Sequence, residues 1–184
     1  MAEKELLLGI DLGTSGCKVT LIDTDCNFVG DGYTEYTTYH PNIGWSEQDP
    51  ADWFPAFMHS FGIALEKGGV KASQVVALSL DASAHNIVLL DIMWTDTRAT
   101  EESAFMTEHY GSEIFRIGYQ MPSPTWSMLQ LMWIKKHEPE VMEKAARAMF
   151  VKDYVRYQLT GVWTTDHVEA QGRVGLDNVN WCWS

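Results

Sequence analysis

Apolar and polar positions along the chain predict a meander of strands followed by alternating helices and strands. Leu6–Asp11 (LLLGID) is a short apolar run ended by an acid, and the tight turn Gly13-Thr14-Ser15-Gly16 follows it. Lys18–Asp23 alternates polar and apolar residues, the period of a half-buried strand. After a turn at Thr24-Asp25, Asn27–Tyr36 reads as a third strand, and the three form an antiparallel meander. Asp49 is a good N-cap, with Pro50 at the first helical position. Trp53, Phe54, Phe57, Met58, Phe61 and Leu65 follow at helical spacing, and Gly68-Gly69 ends the helix. Pro55 is expected to kink this helix or delay its start. Gln74–Leu80 (QVVALSL) reads as a buried strand and Asn86–Asp91 as another. Helices are predicted over Thr100–Tyr110, with Thr100 as N-cap, and over Pro124–His137, Pro139–Arg147 and Lys152–Leu159, the last closed by Gly161; Trp163–Asp166 reads as a strand. The order describes a layered α/β domain.

Composition narrows the function classes. The 184 residues carry 13 Lys and Arg against 25 Asp and Glu, a formal net charge of −12. Non-specific binding to nucleic acid or an anionic membrane needs a basic face, so neither is an expected partner. No run approaches the ~18 apolar residues of a membrane helix, and the charged start Met1-Ala2-Glu3-Lys4-Glu5 lacks the apolar core of a signal peptide. Cys17, Cys26 and Cys182 lack CxxC spacing, which argues against a metal site or a disulfide framework and fits a reducing cytoplasm. Eight Trp in this length point to core packing, or to flat faces for carbohydrate.

The segment richest in chemistry is Gly9-Ile10-Asp11-Leu12-Gly13-Thr14-Ser15-Gly16-Cys17-Lys18. Glycines around Thr-Ser make a tight hairpin whose backbone N–H groups can face an anion, with two hydroxyls as further donors. Asp11 at the strand end suits a hydrated Mg²⁺, which takes one or two carboxylates plus phosphate oxygens. The same residues also describe a plain β-hairpin with a polar turn, since short glycine-rich loops are weak motifs.

GIDLGTSGCKVTLID resembles the first phosphate motif of the actin, Hsp70 and sugar-kinase superfamily. Later segments, in order, narrow the resemblance to the FGGY carbohydrate kinases, nearest their xylulokinase-like branch. These are Trp45-Ser46-Glu47-Gln48-Asp49-Pro50, Asp81–His85, Ile92-Met93-Trp94-Thr95-Asp96-Thr97-Arg98, Leu131–Ile134 with His137–Glu140, Lys152-Asp153-Tyr154 with Leu159-Thr160-Gly161, and Asp166 through Asp177. The resemblance implies a ribonuclease H-like (actin-like ATPase) α/β fold, its mixed sheet opening with an antiparallel meander and flanked by helices. It implies ATP-dependent phosphorylation of a small sugar or polyol, a ketopentose such as xylulose first, with ATP and Mg²⁺ as cofactors. Partners are then a small-molecule sugar or polyol and at most a second copy in a homodimer; the compartment is the cytoplasm. Glycerol, ribulose or another sugar is the alternative substrate, and an inactive truncated sugar-binding module the alternative function.

By the same resemblance, Gly13, Thr14, Ser15 and Gly16 face the ATP phosphates, Lys18 adds positive charge there, and Asp11 lies at the metal. His85, Ala84, Trp94, Asp96 and Arg98 are the expected substrate-binding residues: Trp94 packs on the sugar, Asp96 accepts from its hydroxyls and Arg98 orients Asp96. The residues alone allow plainer roles, a capped strand-end histidine for His85 and a buried Trp beside a surface ion pair for the WTDTR segment. Asp81 is a specificity residue or a solvated strand end. The Trp126, Leu129, Trp133 stripe reads as helix core; Asp166 and Glu169 read as surface carboxylates, while the family resemblance also allows them to approach the sugar pocket. By the resemblance, the general-base aspartate and a second, ATP-binding domain are expected beyond Ser184, so residues 1–184 are expected to be an incomplete N-terminal, sugar-binding domain that is inactive alone. Between Asp91 and Ile92 the family's hairpin turn and strand are missing, as a deletion or an omitted loop.

Overall fold

The computed structural model describes residues 4–89, 92–93, 95–172 and 175–184. Three strands, β1 (Leu6–Leu12), β2 (Gly16–Asp23) and β3 (Phe28–Glu35), form the predicted antiparallel meander. A fourth, β6 (Val75–Ala82), joins β1 in parallel, giving the order β3-β2-β1-β6. Two short pairs complete the strands: β4 (Thr38–Tyr39) with β5 (Glu47–Gln48), and β7 (Leu176–Asp177) with β8 (Cys182–Trp183). The helices are α1 (Pro50–Gly68), α2 (Thr100–Gly118), α3 (Ser127–His137), α4 (Pro139–Lys144), α5 (Val151–Thr160) and α6 (His167–Gly172).

Alternation decides which face of the sheet is covered. Leu6, Leu8, Ile10 and Leu12 of β1 and Cys17, Val19 and Leu21 of β2 point to one side and are buried. Trp53, Ala56, Phe57 and Ala64 of α1 and Val151 and Val155 of α5 pack in the same core. Helix α1 lies unusually close to β3, because Gly30 and Gly32 present no side chain to it. A Cβ on Gly32 would stand 1.9 Å from the Ser60 carbonyl oxygen, and one on Gly30 2.4 Å from that of Ala64. The contact is fixed by Ser60 Oγ, which donates to the Cys17 carbonyl at 3.0 Å and is hydrogen-bonded to Thr34 Oγ1 at 2.7 Å. A second core joins Ile87, Ile92, Ala99, Leu129, Trp133, Ile134 and Phe150.

Local signals at α1 behave as predicted at both ends. The Ala51 N–H donates to Asp49 Oδ1 at 2.8 Å, and Gly69 closes the helix in the left-handed conformation at φ 60°. Pro55 does not delay the start: the helix begins at Pro50 and runs through it. Pro55 lies early enough that its missing N–H removes just one intrahelical bond near an end already short of them.

Several boundaries differ from the sequence pattern. Helix α2 continues to Gly118, and its N-cap is Ala99, while the Thr100 hydroxyl donates back to the Thr97 carbonyl at 2.7 Å. Helix α3 starts at Ser127 and α4 ends at Lys144. The predicted strand over 86–91 reduces, among the described residues, to isolated bridges from Ile87 to Ile92 and Phe150. Residues 163–166 form no strand. Strand β6 is an edge strand with Val76 and Leu78 exposed, so its continuous apolar run does not mark burial on both faces. Positions 90 and 91 lie outside the described residues, and with them the Asp91–Ile92 junction.

Candidate functional site

The Gly13–Gly16 turn is held by its carbonyls from behind. The Gly13 N–H donates to the Gly16 carbonyl at 3.0 Å, leaving Thr14 and Ser15 as the two-residue turn. The Gly13 carbonyl accepts from the Tyr36 hydroxyl, that of Thr14 from Gln48 Nε2 at 2.7 Å and Thr38 Oγ1 at 3.1 Å, and that of Ser15 from the Tyr36 N–H at 3.3 Å. Gln48 is itself buried and fixed, its Oε1 accepting from Trp53 Nε1 at 3.2 Å. Burial pushes the Tyr36 phenol above its usual range, so it stays a donor. With three successive carbonyls bound inward, the N–H groups and hydroxyls of the exposed Thr14 and Ser15 have no acceptor among the described residues. The turn is therefore a set of outward-facing donors, the requirement for an anion.

Strand register places charge beside it. Asp11 pairs with Lys18 on β2 and with Asp81 on β6, and all three are exposed on the face opposite α1. Asp11 and Asp81 stand on neighbouring strands at the C-terminal end of the parallel β1–β6 pair, the edge where α/β sheets bind ligands. Their hard oxygen donors, next to a turn with free donors, fit Mg²⁺.

The loop after β6 is tied to this turn, since the Ser83 N–H donates to the Leu12 carbonyl at 2.9 Å. Two residues on, His85 takes the left-handed conformation at φ 65°. Its N–H donates to Glu169 Oε2 at 2.9 Å, and its carbonyl accepts from Ser127 Oγ at 2.8 Å. The imidazole lies parallel to Trp126, with ring centres 6.1 Å apart, and edge-on to Phe150. Ala84, His85, Thr125 and Trp126 line a cavity of about 270 Å³. That is just below the ~300–1,000 Å³ of drug-sized pockets, a size for a small polar molecule.

Asp96 and Arg98 do not line this cavity. The ion pair is buried, not on the surface: Asp96 is fully buried and the Arg98 side chain is 1% exposed. Arg98 Nε donates to both Asp96 oxygens at 3.0 and 3.1 Å, and Nη2 donates to Asp96 Oδ2 at 2.8 Å and Glu47 Oε1 at 2.6 Å. The Ser46 and Arg98 N–H groups also donate to Asp96, and the guanidinium lies 3.8 Å from the Trp45 ring centre. Arg98 thus holds Asp96 in place, and both carboxylate oxygens are engaged within the fold. Trp94 lies outside the described residues.

Residues 6–183 match the N-terminal domain of the FGGY family of carbohydrate kinases. The chain belongs to that family. It is 31% identical over 187 residues to the xylulose kinase of Bacillus subtilis and 30% identical over 188 residues to that of Escherichia coli, covering 97% of this chain in each case. The FGGY chain spans 38% of the length of each of these relatives. A crystal structure of a xyloylose kinase from Brucella ovis superposes with a TM-score of 0.91 at 31% identity, over 98% of this chain and 39% of that one. Its fold is accordingly the actin-like, ribonuclease H-like α/β fold of FGGY kinases.

The FGGY domain assembles residues that the sequence left in plain roles. Trp126 lines the cavity and stacks on His85, whereas Leu129 and Trp133 of the same stripe are core. Glu169 is 1% exposed rather than a surface carboxylate, whereas Asp166 is exposed, as a surface carboxylate is. Gln48 sits in the WSEQDP motif, but its tie to Thr14 spans 34 residues. Among the described residues no group of three or more His, Cys, Asp or Glu is placed to hold a metal, and no helix is long and apolar enough to cross a membrane.

Proposed function

We propose that this FGGY chain supplies the sugar pocket and phosphate-facing turn of an ATP-dependent kinase acting on a small sugar or polyol, a ketopentose such as xylulose first. The observation that carries the reading is the Ser83–Leu12 hydrogen bond, which joins the donor turn and the His85 cavity on one sheet edge. In the reaction a sugar hydroxyl oxygen forms a bond to the γ-phosphorus of ATP as the bond to the leaving ADP oxygen breaks. Such transfers depend on positioning and charge neutralisation more than on covalent chemistry.

In this proposal the N–H groups and hydroxyls of Thr14 and Ser15 receive phosphate oxygens, the glycines permit the close approach, and Lys18 adds positive charge. Asp11, with Asp81 beside it, holds Mg²⁺, which neutralises developing phosphate charge. His85 contacts a sugar hydroxyl, Trp126 offers a flat apolar face, and Ala84 leaves room. The proposal assigns no general base within residues 1–184; it places that group and the adenosine-binding domain in a longer parent chain. The names of the two bacterial relatives support xylulose as the first substrate.

The test is the complete gene product with a panel of pentuloses, hexuloses and polyols, read by coupled ADP detection. Sugar-dependent ADP release, strongest with a ketopentose, is expected. No release above background with any member of the panel overturns the reading.

A further inference from the structure

The carboxylate beneath His85 has a part in the site that neither the turn nor the cavity explains. Glu169 comes from α6, 84 residues further along the chain, and is almost fully buried. Its Oε2 meets two atoms of His85: the backbone N–H at 2.9 Å and the ring Nδ1 at 3.3 Å. The second contact is not a formed hydrogen bond in this conformation, and a bond there requires the ring to turn toward the carboxylate. Apo sites commonly tighten in this way when substrate arrives. Nδ1 is buried and has no other hydrogen-bond partner among the described residues.

The other face of the carboxylate is also occupied. Lys152 Nζ stands 3.7 Å from Glu169 Oε1 and 2.5 Å from Asp166 Oδ2, and Asp166 Oδ1 accepts from the Glu169 N–H at 3.1 Å. An ionised carboxylate acts as an acceptor alone, and Lys152 stands beside this one. A buried ring nitrogen beside such an acceptor carries the proton, which leaves the other nitrogen unprotonated.

We propose that Glu169 is a positioning residue for His85, holding the imidazole with its proton on Nδ1 so that Nε2 accepts a hydrogen bond from a substrate hydroxyl. The carboxylate also fixes the left-handed backbone of His85 through the N–H bond, and Trp126 and Phe150 bracket the ring. The choice of tautomer stands on this geometry alone, whereas the hydroxyl partner rests on the sugar-kinase reading.

Two measurements on the complete gene product test it. The first is the ring-nitrogen NMR spectrum of ¹⁵N-histidine-labelled protein at about pH 8.5, above the ordinary imidazole range near 6.5. His85 is assigned by its loss in His85→Asn. A protonated Nδ1 and unprotonated Nε2 are expected; the opposite tautomer, or the mixture of free imidazole, overturns the proposal whatever the enzyme turns over. The second is steady-state kinetics of Glu169→Gln, which keeps the volume and removes the charge. KM for the sugar is expected to rise about 10- to 100-fold, the range for losing a hydrogen bond to a charged group, with KM for ATP unchanged. An unchanged sugar KM overturns the proposal. Should Glu169→Gln fail to fold, the unmutated spectrum still decides it. A protonated Nδ1 in a protein that phosphorylates no sugar supports the positioning and removes the kinase reading, so the two failures are distinct.

Discussion

The seat of α1 on β3 is the packing contact most exposed to a single methyl group. In Gly32→Ala the new Cβ would stand 1.9 Å from the Ser60 carbonyl oxygen, with the Ser60 carbonyl carbon at 2.7 Å and its Cα at 3.0 Å. All three are main-chain atoms inside a helix, so no rotamer change relieves the clash. An ordinary contact of 3.4 Å requires α1 to retreat by 3.4 − 1.9 = 1.5 Å. A shift of that size strains the packing of Phe57 and Ala64 and breaks the bonds of Ser60 Oγ to Cys17 and Thr34. Overpacking costs about 1–3 kcal/mol and each hydrogen bond about 1 kcal/mol, so a loss of roughly 3–5 kcal/mol is expected. For a chain of this size that lowers Tm by about 6–20 °C. Gly62→Ala is the control: Gly62 lies within α1 with nothing within 4 Å of its Cβ position. It should gain about 1 kcal/mol from helix propensity. Urea and thermal unfolding by circular dichroism measure both. A Gly32→Ala variant within about 1 kcal/mol of the parent, beside a normal Gly62→Ala control, refutes the close-approach argument.

Other outcomes follow from buried or paired groups. Arg98→Ala leaves the Asp96 carboxylate buried without its partner, and breaking such a pair costs about 3–5 kcal/mol by urea unfolding; a surface-like loss below about 1 kcal/mol contradicts its burial. Burial and the Asp11 charge push the Cys17 thiol up to about 12, while Cys26 and Cys182 are exposed. A colorimetric thiol reagent at pH 8 should therefore titrate two cysteines in the folded chain and three in denaturant; three fast thiols in the folded state contradict this. The Lys4 ammonium, helped by Asn27, holds Asp23 well below the usual carboxylate range. Its folded value is depressed, so its stabilisation is full above the ordinary value near 3.9 and is lost as pH falls toward the folded one. Asp23→Asn should flatten the acid limb of a stability–pH profile, and an unchanged slope below pH ~4 removes Asp23 from that role.

Local signals were legible where neighbouring residues alone decide the conformation. The Asp49 cap, the glycine end of α1 and the alternating pattern of β2 each depend on a few adjacent positions. The DLGTSG turn was legible as a donor turn, and the order of the later motifs along the chain carried the family. What tertiary packing assembles was less so: His85, Trp126 and Glu169 meet across 84 residues, Trp126 looked like one more member of a core stripe, and only the family resemblance allowed Glu169 near the pocket. The run Val75–Leu80 gave no sign of its edge position, because an apolar strand reads the same whether both faces or one is covered. Asp96 was readable as an acid near Arg98, but its burial comes from Trp45, Ser46 and Glu47, about fifty positions earlier.

The close seat of α1 and the orientation of the Gly13–Gly16 turn are parts of one construction. Tyr36, Thr38 and Gln48, which bind the turn's carbonyls, all lie between the end of β3 and the start of α1. Gln48 is held in turn by Trp53 from the first turns of α1. A helix displaced from Gly30 and Gly32 would carry Trp53 with it and loosen Gln48, and the Thr14 carbonyl would lose a partner. A carbonyl so released can turn outward, and it would present a negative dipole where an anion needs donors. Small residues on the hidden side of β3 thus set which way the backbone faces at the site. A strongly acidic chain can on this account face phosphate without a basic surface: the donors are a few fixed amides and hydroxyls, and their direction is decided by packing several residues away.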